Sequence, residues 1–244
     1  VRVSASLRPA RDEVARAIGQ LFDLSLAPAP VNAVLGELSA DAPGVRLPGA
    51  VDGFELVCRA ILGQQVSVKA AHTLAGRIAQ RLGDPLPGAD APDGAPSGLT
   101  HAFPTPQRLA GVAPQALLEC GLIRARAEAI QAVARALAET DLRLVPTADP
   151  TPVLAALLAI RGIGEWTAQY VAMRALGWRD AFPASDLIVM RELEATTPAR
   201  SRALAQAWRP WRAYAVMHLW RRAAGRAPQA ASRTGSRSGA KASR

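Results

Sequence analysis

Gly162-Ile163-Gly164 lies where one apolar helical pattern, Leu157 to Ile160, stops and another opens at Glu165. Two glycines flanking an apolar residue allow a sharp turn and let the backbone approach another surface closely. The amides that open the second helix then face outward and can hold an anion such as a phosphate. Ile163 would plug the space between the two helices. An ordinary glycine-capped hairpin uses the same residues, so the motif alone does not choose. Trp166 and Tyr170 follow, four positions apart and therefore on one helix face. Sixteen residues beyond Gly164 begins Asp180-Ala-Phe-Pro-Ala-Ser-Asp186, a second loop entering a helix and carrying two carboxylates. Aspartate at a helix start is often only a cap for the first amides. The positive end of the helix dipole also favours a negative charge there.

Those residues need helices to position them, and the periodicity is helical nearly throughout. Ala10 to Leu24 places Val14, Ile18, Leu21 and Phe22 on one side. Phe54, Val57, Ile61 and Leu62 mark a second helix, while Val66 to Leu82 and Ala125 to Ala138 give two more with charged outer faces. Thr-Pro at 105–106, 151–152 and 197–198 predicts three helix starts, with Thr as cap and Pro in the first turn. Period-two alternation is confined to a short strand remnant at Val1 to Leu7. The fold class is therefore all-α. Residues 84–100 form a Pro- and Gly-rich loop separating two helical layers or lobes. From residue 223 to 244 the chain reads as a disordered, basic tail rich in Ala, Ser, Arg and Gly.

Composition removes several classes. Half of the 244 residues are hydrophobic, enough for a substantial core. No apolar run approaches the roughly 18 residues of a membrane span, and the N-terminus has no signal-peptide pattern. A cytoplasmic protein is expected. Two isolated cysteines, Cys58 and Cys120, read as buried free thiols. They cannot supply a four-cysteine iron–sulfur cluster or a structural zinc. The net charge of +9 suggests nucleic acid, but residues 221–244 hold seven basic groups and no acid. Without them, 22 basic residues face 20 acidic ones, so the charge belongs mostly to the tail.

The motifs occur together with others in a definite order. Arg46-Leu-Pro-Gly49, Phe54, Arg59-Ala-Ile-Leu-Gly-Gln64, Val66-Ser-Val68, Phe103-Pro-Thr-Pro-Gln-Arg-Leu109 and Trp208-Arg-Pro-Trp-Arg-Ala-Tyr-Ala215 accompany the hairpin and the Asp186 loop. The whole set, from about Leu7 to Arg221, resembles the bacterial 3-methyladenine DNA glycosylase II (AlkA-type) family of the helix-hairpin-helix superfamily. The resemblance implies a helix-hairpin-helix domain over residues 9–222, with the active-site cleft between two lobes. Residues 1–8 would be the remnant of a preceding β-rich domain, and the chain one end of a longer polypeptide, in some relatives fused behind an alkylation-response regulator.

It implies chemistry too. The partner is duplex DNA bearing alkylated bases, flipped out and released by hydrolysis, with the enzyme a monomer needing no cofactor. Asp186 rather than Asp180 is the catalytic carboxylate, stabilising an oxocarbenium-like sugar and orienting or deprotonating water. Trp166, Tyr170 and Trp220 line the base pocket, where aromatic faces attract a cationic, alkylated purine. Trp208 and Trp211 read instead as core residues. Gly162, Ile163 and Gly164 bind the DNA backbone, with a sodium or potassium ion on the carbonyls of Leu158, Ile160 and Ile163 in the complex. Bifunctional relatives carry a Schiff-base lysine where this chain has Trp166, so hydrolysis without strand cleavage is expected. The family wedge follows Gly63-Gln64; here it is Gln65, polar where such wedges are usually apolar. Competing readings are a non-catalytic helix-hairpin-helix DNA-binding module, a mismatch glycosylase of the iron–sulfur branch, and a helical interaction scaffold. The cysteine count disfavours the iron–sulfur branch.

Overall fold

Apolar residues recurring every three to four positions must be buried on one side, and the chain does this by stacking helices. The computed structural model describes residues 5–86 and 99–226. Its helices are α1 (Arg11–Leu21), α2 (Pro28–Leu35), α3 (Gly53–Leu62), α4 (Val68–Leu82), α5 (Pro106–Gly111) and α6 (Pro114–Glu119). They continue as α7 (Arg124–Glu139), α8 (Pro150–Leu158), α9 (Glu165–Arg174), α10 (Leu187–Glu192), α11 (Pro198–Leu204) and α12 (Arg212–Arg226), with short 3-10 segments at Ala5–Ala10, Gly36–Ser39 and Ala205–Trp208. The class is all-α, as the periodicity predicts.

Side-chain caps set six of the α-helix starts among the described residues. Thr105 and Thr197 accept the amides of Arg108 and Arg200, as expected of a Thr-Pro start. The third Thr-Pro pair behaves differently. Asp149 takes the Thr151 amide at 2.9 Å, so α8 starts two residues earlier than expected, at Pro150, and Thr151 lies inside it. Asp at a cap followed directly by Pro outcompetes Thr two positions on.

Two further boundaries differ from the sequence reading. Ala5–Ala10 winds into a 3-10 turn instead of extending the expected strand; residues 1–4 lie outside the described residues. The helical body runs past 222, because Ala223 is buried and Arg226 reaches Glu192 at 3.0 Å. The rest of the expected tail, 227–244, lies outside the described residues. The same holds for 87–98 of the Pro- and Gly-rich loop, but its base is pinned by Leu86 N–H to Thr100 O and Ala102 N–H to Asp84 O, both 2.9 Å.

Two groups of helices share one continuous apolar core. In the first, α3, α5 and α6 pack on α7, and α4 packs on α3. In the second, α12 packs on α10 and on the 3-10 segments at Gly36–Ser39 and Ala205–Trp208. Tyr214 of α12 is fully buried and donates its hydroxyl to Asp23 Oδ2 at 2.6 Å. Burial, then that hydrogen bond and the Asp23 charge, push the Tyr214 pKa up. Between the groups runs the α8–α9 hairpin, with α9 against α3. Cys58 and Cys120 are buried free thiols, and burial pushes both pKa values up. Among the described residues, no helix is long and apolar enough to cross a membrane.

Candidate active site

The loop from Asp180 to Asp186 delivers two carboxylates with opposite surroundings. Asp180, 6% exposed, is claimed by cations: Arg212 binds it through two hydrogen bonds at 2.7 and 2.8 Å, and Arg209 adds a contact at 2.9 Å. A bidentate arginine pair of this kind fixes the loop to the start of α12. Asp180 is structural. Asp186, 7% exposed, caps α10 by accepting the Val189 amide on Oδ1 at 2.8 Å. Its other partners are two indoles. Trp166 Nε1 donates to Oδ2 at 2.7 Å and Trp220 Nε1 to Oδ1 at 3.1 Å. Asp186 is therefore a helix cap that also accepts two indole N–H groups.

Aromatic rings continue outward from the carboxylate. Trp166 and Tyr170 stack nearly parallel, 7° apart with centroids at 5.1 Å, and Trp220 lies 6.5 Å from Tyr170. The four residues singled out at a distance of up to 54 positions in sequence thus meet at one place. Beyond them lies a charge that the sequence reading missed. Arg174 sits over the Tyr170 ring at 5.6 Å and donates to its hydroxyl at 3.3 Å, while its Nε binds the Pro48 carbonyl. Its spacing of four from Tyr170 on α9 was the available signal. Trp208 and Trp211 are part-buried and pack against the core, as expected, and Trp211 meets the Tyr214 ring edge-on at 5.7 Å.

The hairpin has the expected turn, but its two glycines serve different ends. Gly162 has φ of +93°, and a β-carbon there would stand 3.2 Å from the Ala129 side chain. That backbone shape requires glycine. Gly164 has an ordinary φ of −91°, and a β-carbon added to it would meet nothing within 4 Å. The fold therefore does not demand glycine at 164; an approaching surface would. Ile163 is buried between the helices. Glu165, beside those first amides, is paired with Arg202 of α11, which offsets a negative charge at the mouth of an anion site.

At the end of α8 the last carbonyls lack intrahelical donors. Among the described residues, Ile160 O accepts one hydrogen bond, from the Ile163 amide at 3.0 Å, which engages one of its two lone pairs. Oxygen donors of this kind suit a hard monovalent cation. Among the described residues, no group of three or more His, Cys, Asp or Glu is placed to hold a metal. Gln65 is exposed at the turn between α3 and α4, with a positive φ of 56°.

The chain as a whole is similar to known proteins. A family model described as "HhH-GPD superfamily base excision DNA repair protein" matches residues 58–213. The chain belongs to that superfamily. It is 42% identical over 220 residues to DNA-3-methyladenine glycosylase 2 of Escherichia coli, covering 90% of this chain and 75% of that protein. It is 41% identical to a longer Mycobacterium tuberculosis protein named as a probable bifunctional transcriptional activator/DNA repair enzyme, over 82% of this chain and 41% of that one. In fold it is similar to the 3-methyladenine DNA glycosylase of Archaeoglobus fulgidus, with a TM-score of 0.69, 26% identity, and coverage of 90% of this chain and 76% of that one. The family and these relatives bear out the enzyme reading over the non-catalytic DNA-binding module.

Proposed function

We propose that the protein is a monofunctional DNA glycosylase that hydrolyses the N-glycosidic bond of alkylated bases in duplex DNA and leaves an abasic site. The observation that carries this reading is Asp186, held by two indole N–H groups and, among the described residues, with no cation against it, at the edge of a stacked aromatic cluster. A purine alkylated on a ring nitrogen is cationic and electron-poor. Aromatic faces attract it, and it departs neutral when the glycosidic electron pair moves to the base. The sugar left behind carries positive charge at C1′, which the Asp186 carboxylate is placed to stabilise. Water then bonds to C1′ and gives up a proton, for which Asp186 is the acceptor.

Such chemistry needs the base outside the helix. Trp166, Tyr170 and Trp220 would receive it, Gln65 would fill the gap, and the Gly162–Gly164 turn with the amides of α9 would grip a backbone phosphate. The carbonyls of Leu158, Ile160 and Ile163 would hold a sodium or potassium ion that adds positive charge for that phosphate. No Schiff-base lysine stands beside the site in sequence: position 166 is Trp, and the chain's two lysines are Lys69 and Lys241. The product strand should therefore stay intact.

The test is a panel of oligonucleotides carrying 3-methyladenine, 7-methylguanine or hypoxanthine, scored separately for released base and for strand breaks. Released alkylated base with an unbroken strand is expected. A broken strand without added amine would overturn the monofunctional reading, and no release from any lesion would overturn the substrate class.

A further inference from the structure

Gln64 precedes the proposed wedge and faces away from it. Its side-chain amide donates to the Gly162 carbonyl at 3.1 Å and to Thr167 Oγ1 at 3.3 Å, joining positions 98 and 103 residues distant. Its own carbonyl accepts from Arg126 of α7. The same helix presents Ala129 to Gly162. Three segments are thus knit at one point: the α3–α4 turn, the start of α7 and the α8–α9 hairpin.

We propose that Gln64 is a positioning residue that locks the Gln65 turn in register with the phosphate-gripping hairpin, with Arg126 bracing it from α7. The two surfaces face the same duplex. One grips the backbone, the other enters the stack, and a fixed spacing between them lets grip energy be used for base extrusion. Loose spacing would leave binding to the backbone intact while the wedge fails to stay in the gap. Thr167 adds a link to catalysis, because it lies next to Trp166 at the start of α9. The proposal rests on the wedge reading of Gln65.

The experiment compares Gln64→Ala, Arg126→Ala and Gln65→Ala with the unaltered protein under single-turnover conditions. Each is given the same alkylated base in a paired duplex and in a bulge, where extrusion is already provided. Wedge entry is followed by fluorescence of 2-aminopurine placed opposite an abasic-site analogue. For Gln64→Ala, excision from the duplex should fall about tenfold, the size expected from losing two neutral hydrogen bonds, with far less loss on the bulge. The fluorescence change should shrink while affinity for the abasic duplex holds. A duplex-to-bulge difference below roughly threefold overturns the proposal, because a merely structural role slows both substrates alike. Should Gln64→Ala not fold, Arg126→Ala is judged by the same ratio. Unaltered fluorescence in Gln65→Ala would instead retire the wedge reading, whatever the Gln64 ratio shows.

Discussion

Trp166 Nε1 donates to Asp186 Oδ2 at 2.7 Å, so the residue standing where bifunctional relatives would carry a lysine is itself bonded to the carboxylate. One indole then has two tasks. Its face stacks on Tyr170 and its edge aims Asp186. Phenylalanine keeps the face and loses the donor. Trp166→Phe should therefore lower the single-turnover excision rate by about tenfold or more, since a hydrogen bond to a charged group contributes about 1.5–3 kcal/mol. Affinity for DNA should change little. An unaltered rate with full binding would mean that the ring matters and the N–H does not.

Asp186→Asn tests the carboxylate itself. The amide keeps the volume and an oxygen for the Val189 cap, but removes the charge that offsets the developing oxocarbenium. Excision should fall at least ~10²-fold while the protein still folds and binds DNA. Asp180→Asn should behave in the opposite sense. It would leave the largely buried Arg212 facing an uncharged partner, with the exposed Arg209 contributing little, and destabilise the fold by ~3 kcal/mol. Comparing melting temperature and excision rate for the two variants separates the roles; a melting loss confined to the 186 variant would reverse the assignment.

Arg174 predicts selectivity. A guanidinium over Tyr170 draws on the same ring potential that would attract a cationic base. Arg174→Gln should raise the excision ratio of 7-methylguanine over neutral hypoxanthine by about 2- to 5-fold, equivalent to ~0.5–1 kcal/mol. A ratio that falls or stays fixed would show that the charge does not reach the base.

His218 lies buried in α12, and burial, then the Arg221 and Arg222 charges, lower its pKa from 6.5. The neutral ring is favoured in the folded protein, so the unfolded chain takes up the proton first as pH falls. Its contribution is complete above the ordinary histidine range and is lost as pH drops below 6.5. Denaturation followed from neutral to mildly acid pH should show a decline that His218→Gln flattens. An identical decline in the variant would assign it to other groups.

Much of this site was legible because it depends on local pattern. Glycine punctuation, an i, i+4 aromatic pair and an aspartate entering a helix are all short-range signals. Trp220 was reached only through the resemblance, since nothing local ties α12 to Asp186. Long-range polar contacts left no pattern of their own: Arg212 to Asp180 spans 32 positions and Gln64 to Gly162 spans 98. Helix starts failed where two cappers compete within three residues, as at Asp149 and Thr151.

The glycine pair gives the sharpest contrast between folding and binding. Gly162 occupies a left-handed backbone that costs an L-residue about 1–2 kcal/mol, with Ala129 close by. Gly162→Ala should therefore lower thermal stability. Gly164 has an extended φ and empty space around it, so Gly164→Ala should melt as the unaltered protein does. Its methyl group would instead stand where a phosphate must come close to the α9 amides. DNA affinity should drop for Gly164→Ala, with the excision rate at saturating enzyme retained. Measuring both quantities for both variants decides the matter. Undiminished affinity in a normally folded Gly164→Ala protein would remove the hairpin amides from the DNA interface, and the grip would have to be sought elsewhere on the surface.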